Sequence, residues 1–205
     1  RLDGVHQFRN RAGQGVVAVL THKDLEVAGV GSTSMHPPLI GRNGAKLIAP
    51  FRPSLAAERV MHVGQTVALV VAENVALAQD AAEKVMVDYE ELDSVSDTTA
   101  ALADGAPQLW SDALGNVAID WPGPVPDDGS NAKQIANIFS GAAHVARVRC
   151  LNQRLVVASM EPRGATAWYD AASDRYTLRS CSQGVGPLRD LLIAVMGWPK
   201  EKLRV

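Results

Sequence analysis

The chain has 205 residues, 47% of them hydrophobic, so it can bury a core in one large domain or two small ones. Its formal net charge of −2 leaves no excess of positive charge for phosphates or anionic headgroups, which argues against nucleic-acid and membrane-surface roles. Apolar stretches such as residues 67–72 are far shorter than the roughly 20 residues of a membrane span, and Arg1 opens no signal-peptide pattern. We expect a soluble, cytoplasmic, globular protein.

The first half begins with strand and helix signals. Residues 16–20 are apolar and predict a buried strand, after which Thr21 can cap a short helical turn. Residues 29–53 are rich in glycine and proline, which predicts a long irregular excursion. Strands are then predicted at 60–63 and 65–73, the second nearly all apolar and therefore central.

A helix and a third strand follow. Asn74 is the predicted N-cap of a helix over residues 75–85, where apolar side chains recur at four-residue spacing. Residues 85–89 predict a returning strand. The crossover is just long enough for a βαβ connection, so the first region is predicted to be α/β.

A segment of proline, glycine and acidic residues separates the halves. It predicts a linker at 119–130 between a domain of residues 1–118 and a second domain of residues 131–205. In the second domain, Ser130 or Asn131 can cap a helix that runs to about residue 143. Strands are predicted after it at 144–151, 164–169 and 175–182.

The strongest amphipathic signal lies near the C-terminus. Apolar residues between 188 and 196 follow the i, i+3, i+4, i+7, i+8 pattern, and Gly197 and Pro199 end the predicted helix. Residues 203–205 are typical of the start of a strand. Since nothing follows to turn or cap that strand, we expect a truncated C-terminus.

Generic site signatures are missing from the sequence. It contains no phosphate loop, GxGxxG, zinc-ligand spacing or GxSxG elbow. The histidines are scattered without the i, i+3 or i, i+4 spacing of a helical metal site: His6, His22, His36, His62 and His144. Cys150 and Cys181 are far apart, each in a strand-like run, so two ordinary buried thiols are expected.

Two local features are candidates for chemistry. Glu161 and Arg163 flank Pro162 between two apolar strands, which fits either a site carboxylate or a buried or half-buried ion pair that shapes a corner. Gln183 is predicted to stand at a strand-to-helix turn, where its amide can donate to an oxyanion or oxo group without adding charge. A polar turn residue facing water remains the alternative for Gln183.

Separate blocks of the chain resemble, in the right order, the large subunits of the xanthine dehydrogenase, aldehyde oxidase and carbon monoxide dehydrogenase family. The likeness is greatest to carbon monoxide dehydrogenase-like large subunits. In the first half the blocks are residues 16–25, 63–73, 78–83, 87–92 and 115–117. In the second half they are Met160-Glu161-Pro162-Arg163, Tyr169-Asp170, Ser182-Gln183 and Gly197-Trp198-Pro199.

The resemblance implies an α+β or α/β architecture, with an α/β hammerhead domain followed by the beginning of a molybdopterin-binding α+β domain. It implies a molybdenum ion on a pterin, often the cytosine dinucleotide form, with [2Fe-2S] and FAD on partner subunits or domains. Substrates would be hydroxylated with water-derived oxygen, and carbon monoxide, aldehydes and N-heterocycles all stay open. Gln183 would contact an oxo ligand of the metal, with Glu161 and Arg163 as second-tier cofactor contacts.

Departures from the family pattern define the alternatives. The glycine-rich segment expected after Val205 and a later glutamate base are absent, and strands expected before Arg1 are missing. We therefore expect a fragment or one chain of a split subunit that is inactive by itself. A non-catalytic assembly or binding module of the same fold is the alternative, and a hydrolase using Ser182 or Cys181 lacks a nearby histidine in sequence.

Overall fold

A computed structural model describes residues 15–33, 37–123, 130–151, 158, 160, 161 and 163–205. The strands are β1 (Val16–Leu20), β2 (Leu69–Ala72), β3 (Ala165–Asp170), β4 (Arg175–Ser180) and β5 (Leu203–Arg204). The helices are α1 (His22–Val27), α2 (Val75–Ala82), α3 (Ser130–Gly141) and α4 (Val185–Met196). Short 3-10 turns occur at Arg42–Gly44, Ala100–Leu102, Leu114–Asn116 and Lys200–Lys202. The mixture of helix and sheet confirms the predicted fold class.

The two predicted caps of the first half are confirmed. The Asp24 carboxylate accepts hydrogen bonds of 2.9 Å from both the N–H and the hydroxyl of Thr21, which fixes the start of α1. The Asn74 side chain accepts a hydrogen bond of 3.0 Å from the N–H of Leu77 at the start of α2. Both helices therefore begin where local side-chain chemistry predicts.

The predicted βαβ unit of the first half is wrong. β2 pairs antiparallel with β1, and residues 60–63 and 85–88 form no strand in the described part of the chain. Val85, Val87 and Tyr89 instead line an apolar cleft of about 570 Å³ together with β2 and α2. The apolar residues of the segment 85–89 predict burial, but they do not ensure a neighbouring strand to hydrogen-bond with. The strand predicted to be central is not buried either, because Leu69 of β2 is 49% exposed.

Much of the buried core lies in irregular chain. Leu55, Ala56 and Ala113 are buried outside any helix or strand. The Ala56 N–H donates to the Thr66 carbonyl at 2.8 Å. The predicted irregular excursion over residues 29–53 is confirmed, and within it the Ile48 N–H donates to the Ala118 carbonyl at 2.9 Å. Backbone pairing between distant loops replaces a sheet here.

Asn116 ties several of these loops together. Its Nδ2 donates to the carbonyls of Ala101 at 2.9 Å and Pro107 at 3.0 Å, and its Oδ1 accepts from the Leu109 N–H at 2.9 Å. Its φ of 58° lies in the left-handed region, which asparagine tolerates better than most residues. One side chain thus satisfies three backbone groups that no regular element serves.

The second half contains a βαβ unit that the sequence did not predict. β3 and β4 form an antiparallel hairpin from the Ala165–Ser180 pair to the Asp170–Arg175 pair. β5 then lies parallel to β4, so α4 is the crossover helix between them. Gly197, with φ 64°, ends α4 as predicted.

Other predictions in this half fare differently. Residues 144–151 form no strand. The helix α3 is confirmed, but Ser130 and Asn131 are its first two residues, so neither precedes the helix as its cap. His6, His36 and Pro162 lie outside the described residues.

A backbone contact joins described residues of the two halves. The Gly31 N–H donates to the carbonyl of Val195 at 2.6 Å, near the C-terminal end of α4. A Cβ at position 31 would lie 3.1 Å from that same oxygen, so the close approach favours glycine. Val195 is buried beneath this contact.

Candidate functional site

Gln183 lies on the turn that links β4 to α4, where the strand-to-helix pattern predicted it. Its side chain is exposed and makes no hydrogen bond to the described residues. The first N–H groups of an α-helix have no intrahelical acceptor, and Pro187 has no N–H, so the N–H groups of Val185 and Gly186 are the donors at this helix end. The turn therefore presents neutral hydrogen-bond donors to solvent.

Glu161 lies beside this turn. The Cys181 thiol donates a hydrogen bond of 3.1 Å to Oε1 of Glu161. The hydrogen bond and the negative charge of Glu161 raise the pKa of the Cys181 thiol. This contact places the Glu161 carboxylate at the edge of the turn.

One sequence expectation is wrong at this point, and one of two alternatives does not hold. Cys150 and Cys181 are exposed, not buried: Cys150 lies in residues 144–151, which form no strand, and Cys181 directly follows β4. Glu161 and Arg163 are also exposed and form no ion pair with each other among the described residues. Glu161 contacts the turn, whereas Arg163 is not brought to it.

The sequence analysis missed the contact between Glu161 and Cys181. Its signal is the hairpin register: Ala165 pairs with Ser180, so the residues just before β3 and just after β4 lie at the same end of the hairpin. The Ser180 hydroxyl, donating to the Gly164 carbonyl at 3.3 Å, joins the two strands there.

An aromatic cluster lies at the other end of the hairpin. The Tyr176 ring packs 4.7 Å from Tyr169 and stacks at 4.6 Å on Trp198, which directly follows α4 and Gly197. Asp174 accepts hydrogen bonds from Lys202 and, at 2.6 Å, from the Tyr169 hydroxyl, and both lower the pKa of its carboxyl. The cluster ties the hairpin to the far end of α4 and so supports the turn.

The donor set favours one kind of ligand. No group of three or more histidine, cysteine or acidic side chains lies close enough to hold a metal ion within the described ranges. No helix in those ranges has the length and apolar composition needed to cross a bilayer. An amide and helix N–H groups are suited to hydrogen-bond an electronegative group of a bound ligand.

Comparison with known families divides the chain in two. Residues 1–93 match the family described as "Aldehyde oxidase and xanthine dehydrogenase, a/b hammerhead domain". Residues 125–205 match the "Molybdopterin cofactor-binding domain". The turn that carries Gln183 lies inside the second match.

Individual relatives agree with these matches. The carbon monoxide dehydrogenase large chain of Hydrogenophaga pseudoflava is 29% identical over 100% of this chain and 25% of its own length. The nicotine 6-hydroxylase large subunit of Paenarthrobacter nicotinovorans is 31% identical over 75% of this chain and 18% of its own length. The solved carbon monoxide dehydrogenase of Oligotropha carboxidovorans superposes with a TM-score of 0.73 at 27% identity, covering 99% of this chain and 25% of that one. The chain thus spans a quarter or less of the length of these relatives.

Proposed function

We infer that this chain, which belongs to the large-subunit family of the molybdenum hydroxylases, contributes the β4–α4 turn to the binding site of a molybdenum–pterin cofactor. The observation that carries the proposal is the exposed amide of Gln183, which has no hydrogen-bond partner among the described residues and lies on a turn inside the cofactor-binding match. Gln183 holds the cofactor by donating a hydrogen bond to one of its electronegative atoms, with Val185 and Gly186 as backbone donors beside it.

The charge of the turn is suited to this role. The donors are neutral, so they stabilise negative charge on a bound group without needing a counter-ion. The Cys181 thiol donates its hydrogen to Glu161, and this contact raises the pKa of the thiol. Arg163, exposed next to β3, is the second-tier contact for a phosphate of the pterin dinucleotide. When bound, the cofactor supplies the two-electron redox chemistry, and these residues orient it.

The complete enzyme is proposed to oxidise carbon monoxide, an aldehyde or an N-heterocycle with oxygen from water. The names of the relatives, which include carbon monoxide dehydrogenase and nicotine 6-hydroxylase, support this range of substrates. We further propose the cytosine dinucleotide form of the cofactor, [2Fe-2S] and FAD subunits as partners, and the cytoplasm as the compartment. The proposed division is a hammerhead domain at 1–118, a linker at 119–130 and the beginning of a cofactor-binding domain at 131–205.

The surface of the chain supports assembly into something larger. Helix α3 exposes apolar side chains: Ile135, Ile138 and Phe139 are 54%, 69% and 55% exposed. Such a face needs a polypeptide partner. An assembly module without cofactor is less well supported, because the second half matches a cofactor-binding family.

The test is to purify the complete complex and compare Gln183→Ala with wild type. We expect turnover to fall about 10- to 1,000-fold while molybdenum and iron per complex, measured by plasma mass spectrometry, stay near the wild-type values. Gln134→Ala, which removes an exposed amide from α3, is the matched control and should change neither.

Two outcomes contradict the proposal. Unchanged turnover of Gln183→Ala at normal molybdenum content would exclude the cofactor contact. A stable wild-type complex without molybdenum would replace the hydroxylase proposal by the assembly module.

A further inference from the structure

A second cleft lies in the irregular part of the first half and shares no residue with the β4–α4 turn. Its volume is about 330 Å³, near the lower end of the range of small-molecule sites. The lining residues that matter here are Arg52, Pro53, Met61, His62, Gln65 and Trp110. They combine one permanent positive charge with an apolar wall.

The backbone of Arg52 is held in place on both sides. Its N–H donates to the Ser32 hydroxyl at 3.0 Å, and its carbonyl accepts from the N–H of Thr33 at 2.9 Å and the hydroxyl of Thr33 at 3.0 Å. Its guanidinium, in contrast, makes no hydrogen bond or ion pair with any described residue. The chain therefore fixes the base of a side chain that belongs to a lining residue of the cleft, and its planar donor group is uncommitted among the described residues.

A neighbouring amide is turned so that its donors remain. The Oε1 of Gln65 accepts the Met61 N–H at 2.6 Å, which uses the acceptor of that amide and leaves its NH₂ group. An arginine and an amide NH₂ in one cleft match an anion.

We propose that this cleft binds a small aromatic carboxylate. The guanidinium fork of Arg52 pairs with the two carboxylate oxygens, while the ring lies against Trp110, Pro53 and Met61. A phosphate fits less well, because Arg52 is the one permanently charged cation among the cleft residues and a dianion needs more compensation. An aliphatic acid would leave the apolar wall uncovered.

The probe is benzoate, titrated into the complete complex by calorimetry and by saturation-transfer NMR. Benzamide has the same ring without the charge, and acetate has the charge without the ring, so each isolates one half of the proposed recognition. We expect benzoate to bind at least tenfold more tightly than either. Arg52→Met should weaken benzoate at least tenfold, and Arg52→Lys, which keeps the charge but loses the fork, should fall between Arg52→Met and wild type.

Arg59→Met is the matched control, since Arg59 is an exposed arginine of the same segment that does not line the cleft. It should bind benzoate as wild type does, and so should Gln183→Ala, which separates this cleft from the cofactor turn. Benzoate binding that survives Arg52→Met, or equal binding of benzamide, overturns the proposal. So does a wild-type complex that binds no benzoate at millimolar concentration.

Discussion

Two regions of the molecule are stabilised in different ways. Residues 37–120 have little regular structure, yet they hold Leu55, Ala56 and Ala113, three of the buried apolar residues. The unit formed by β3, β4, α4 and β5 has regular hydrogen-bond ladders, yet every residue of β3 is exposed. Regularity and burial are therefore separate properties here. The loops are held together by hydrogen bonds of the Asn116 side chain to the backbone, whereas the sheet is held by backbone hydrogen bonds between strands and by stacked aromatic rings.

The largest expected effect comes from the buried end of the sheet unit. Leu203 is 5% exposed on β5, opposite Tyr176 of β4. Leu203→Ala should destabilise the unit by about 2–5 kcal/mol through lost burial and a cavity. Hydrogen–deuterium exchange of peptides covering 175–180 in the full-length subunit measures this locally. Leu203→Met, which conserves volume, should cost less than about 1.5 kcal/mol, and equal effects of the two variants would argue against tight packing there.

An intermediate effect is expected in the loop region. Asn116→Ala removes both donors to part-buried carbonyls and places alanine in a left-handed conformation, which should cost about 1–3 kcal/mol. Faster exchange should appear at the Leu109 amide, whose acceptor is lost. Asn116→Asp keeps that acceptor and should preserve protection at Leu109. Unchanged protection in Asn116→Ala would show that the loops hold without this side chain.

The smallest effect is expected at the exposed pair of Lys202 and Asp174. The folded pKa of Asp174 is lowered from 3.8, so its contribution to stability is present above that pH and is lost as pH falls through the lower folded value. The pKa of Lys202 is raised from 10.5, so its contribution is lost as pH rises through the higher folded value. Lys202→Met should raise the pKa of Asp174 and so narrow the pH range over which Asp174 contributes to stability.

Carbon-13 NMR titration of the Asp174 carboxyl measures that change. Arg175→Met is the matched control for the loss of a neighbouring exposed positive charge. An Asp174 pKa that is the same in wild type and Lys202→Met would show that the Tyr169 hydroxyl alone sets it.

The sequence predicts features that depend on neighbouring residues better than features that depend on residues distant in the chain. The caps at Thr21 and Asn74 and the stop at Gly197 depend on residues within a few positions, and all three are confirmed. The third strand of the first half and the strand at 144–151 depend on a distant partner that composition does not reveal, and neither forms. Apolar content alone overstated regular structure in both places.

In the candidate site, too, the local feature could be predicted and the long-range contact could not. The position of Gln183 follows from the local change from strand to helix, and the structure has it at that turn. The contact of Glu161 with Cys181 depends on hairpin register across 20 residues, so local sequence offered only a site carboxylate or an ion pair with Arg163. The role of Gln183 rests on family resemblance, and it stays a prediction until turnover is measured.

The contact between Gly31 and Val195 can influence the position of Gln183 through α4. A helix of 12 residues is about 18 Å long, with the Gln183 turn at its N-terminal end and the contact with Gly31 near its C-terminal end. Because a helix moves as a rigid body, a displacement at its C-terminal end also moves its N-terminal end. A bulky side chain at position 31 would therefore tilt α4 and shift Gln183, even though position 31 lies in the half of the chain that matches the hammerhead family.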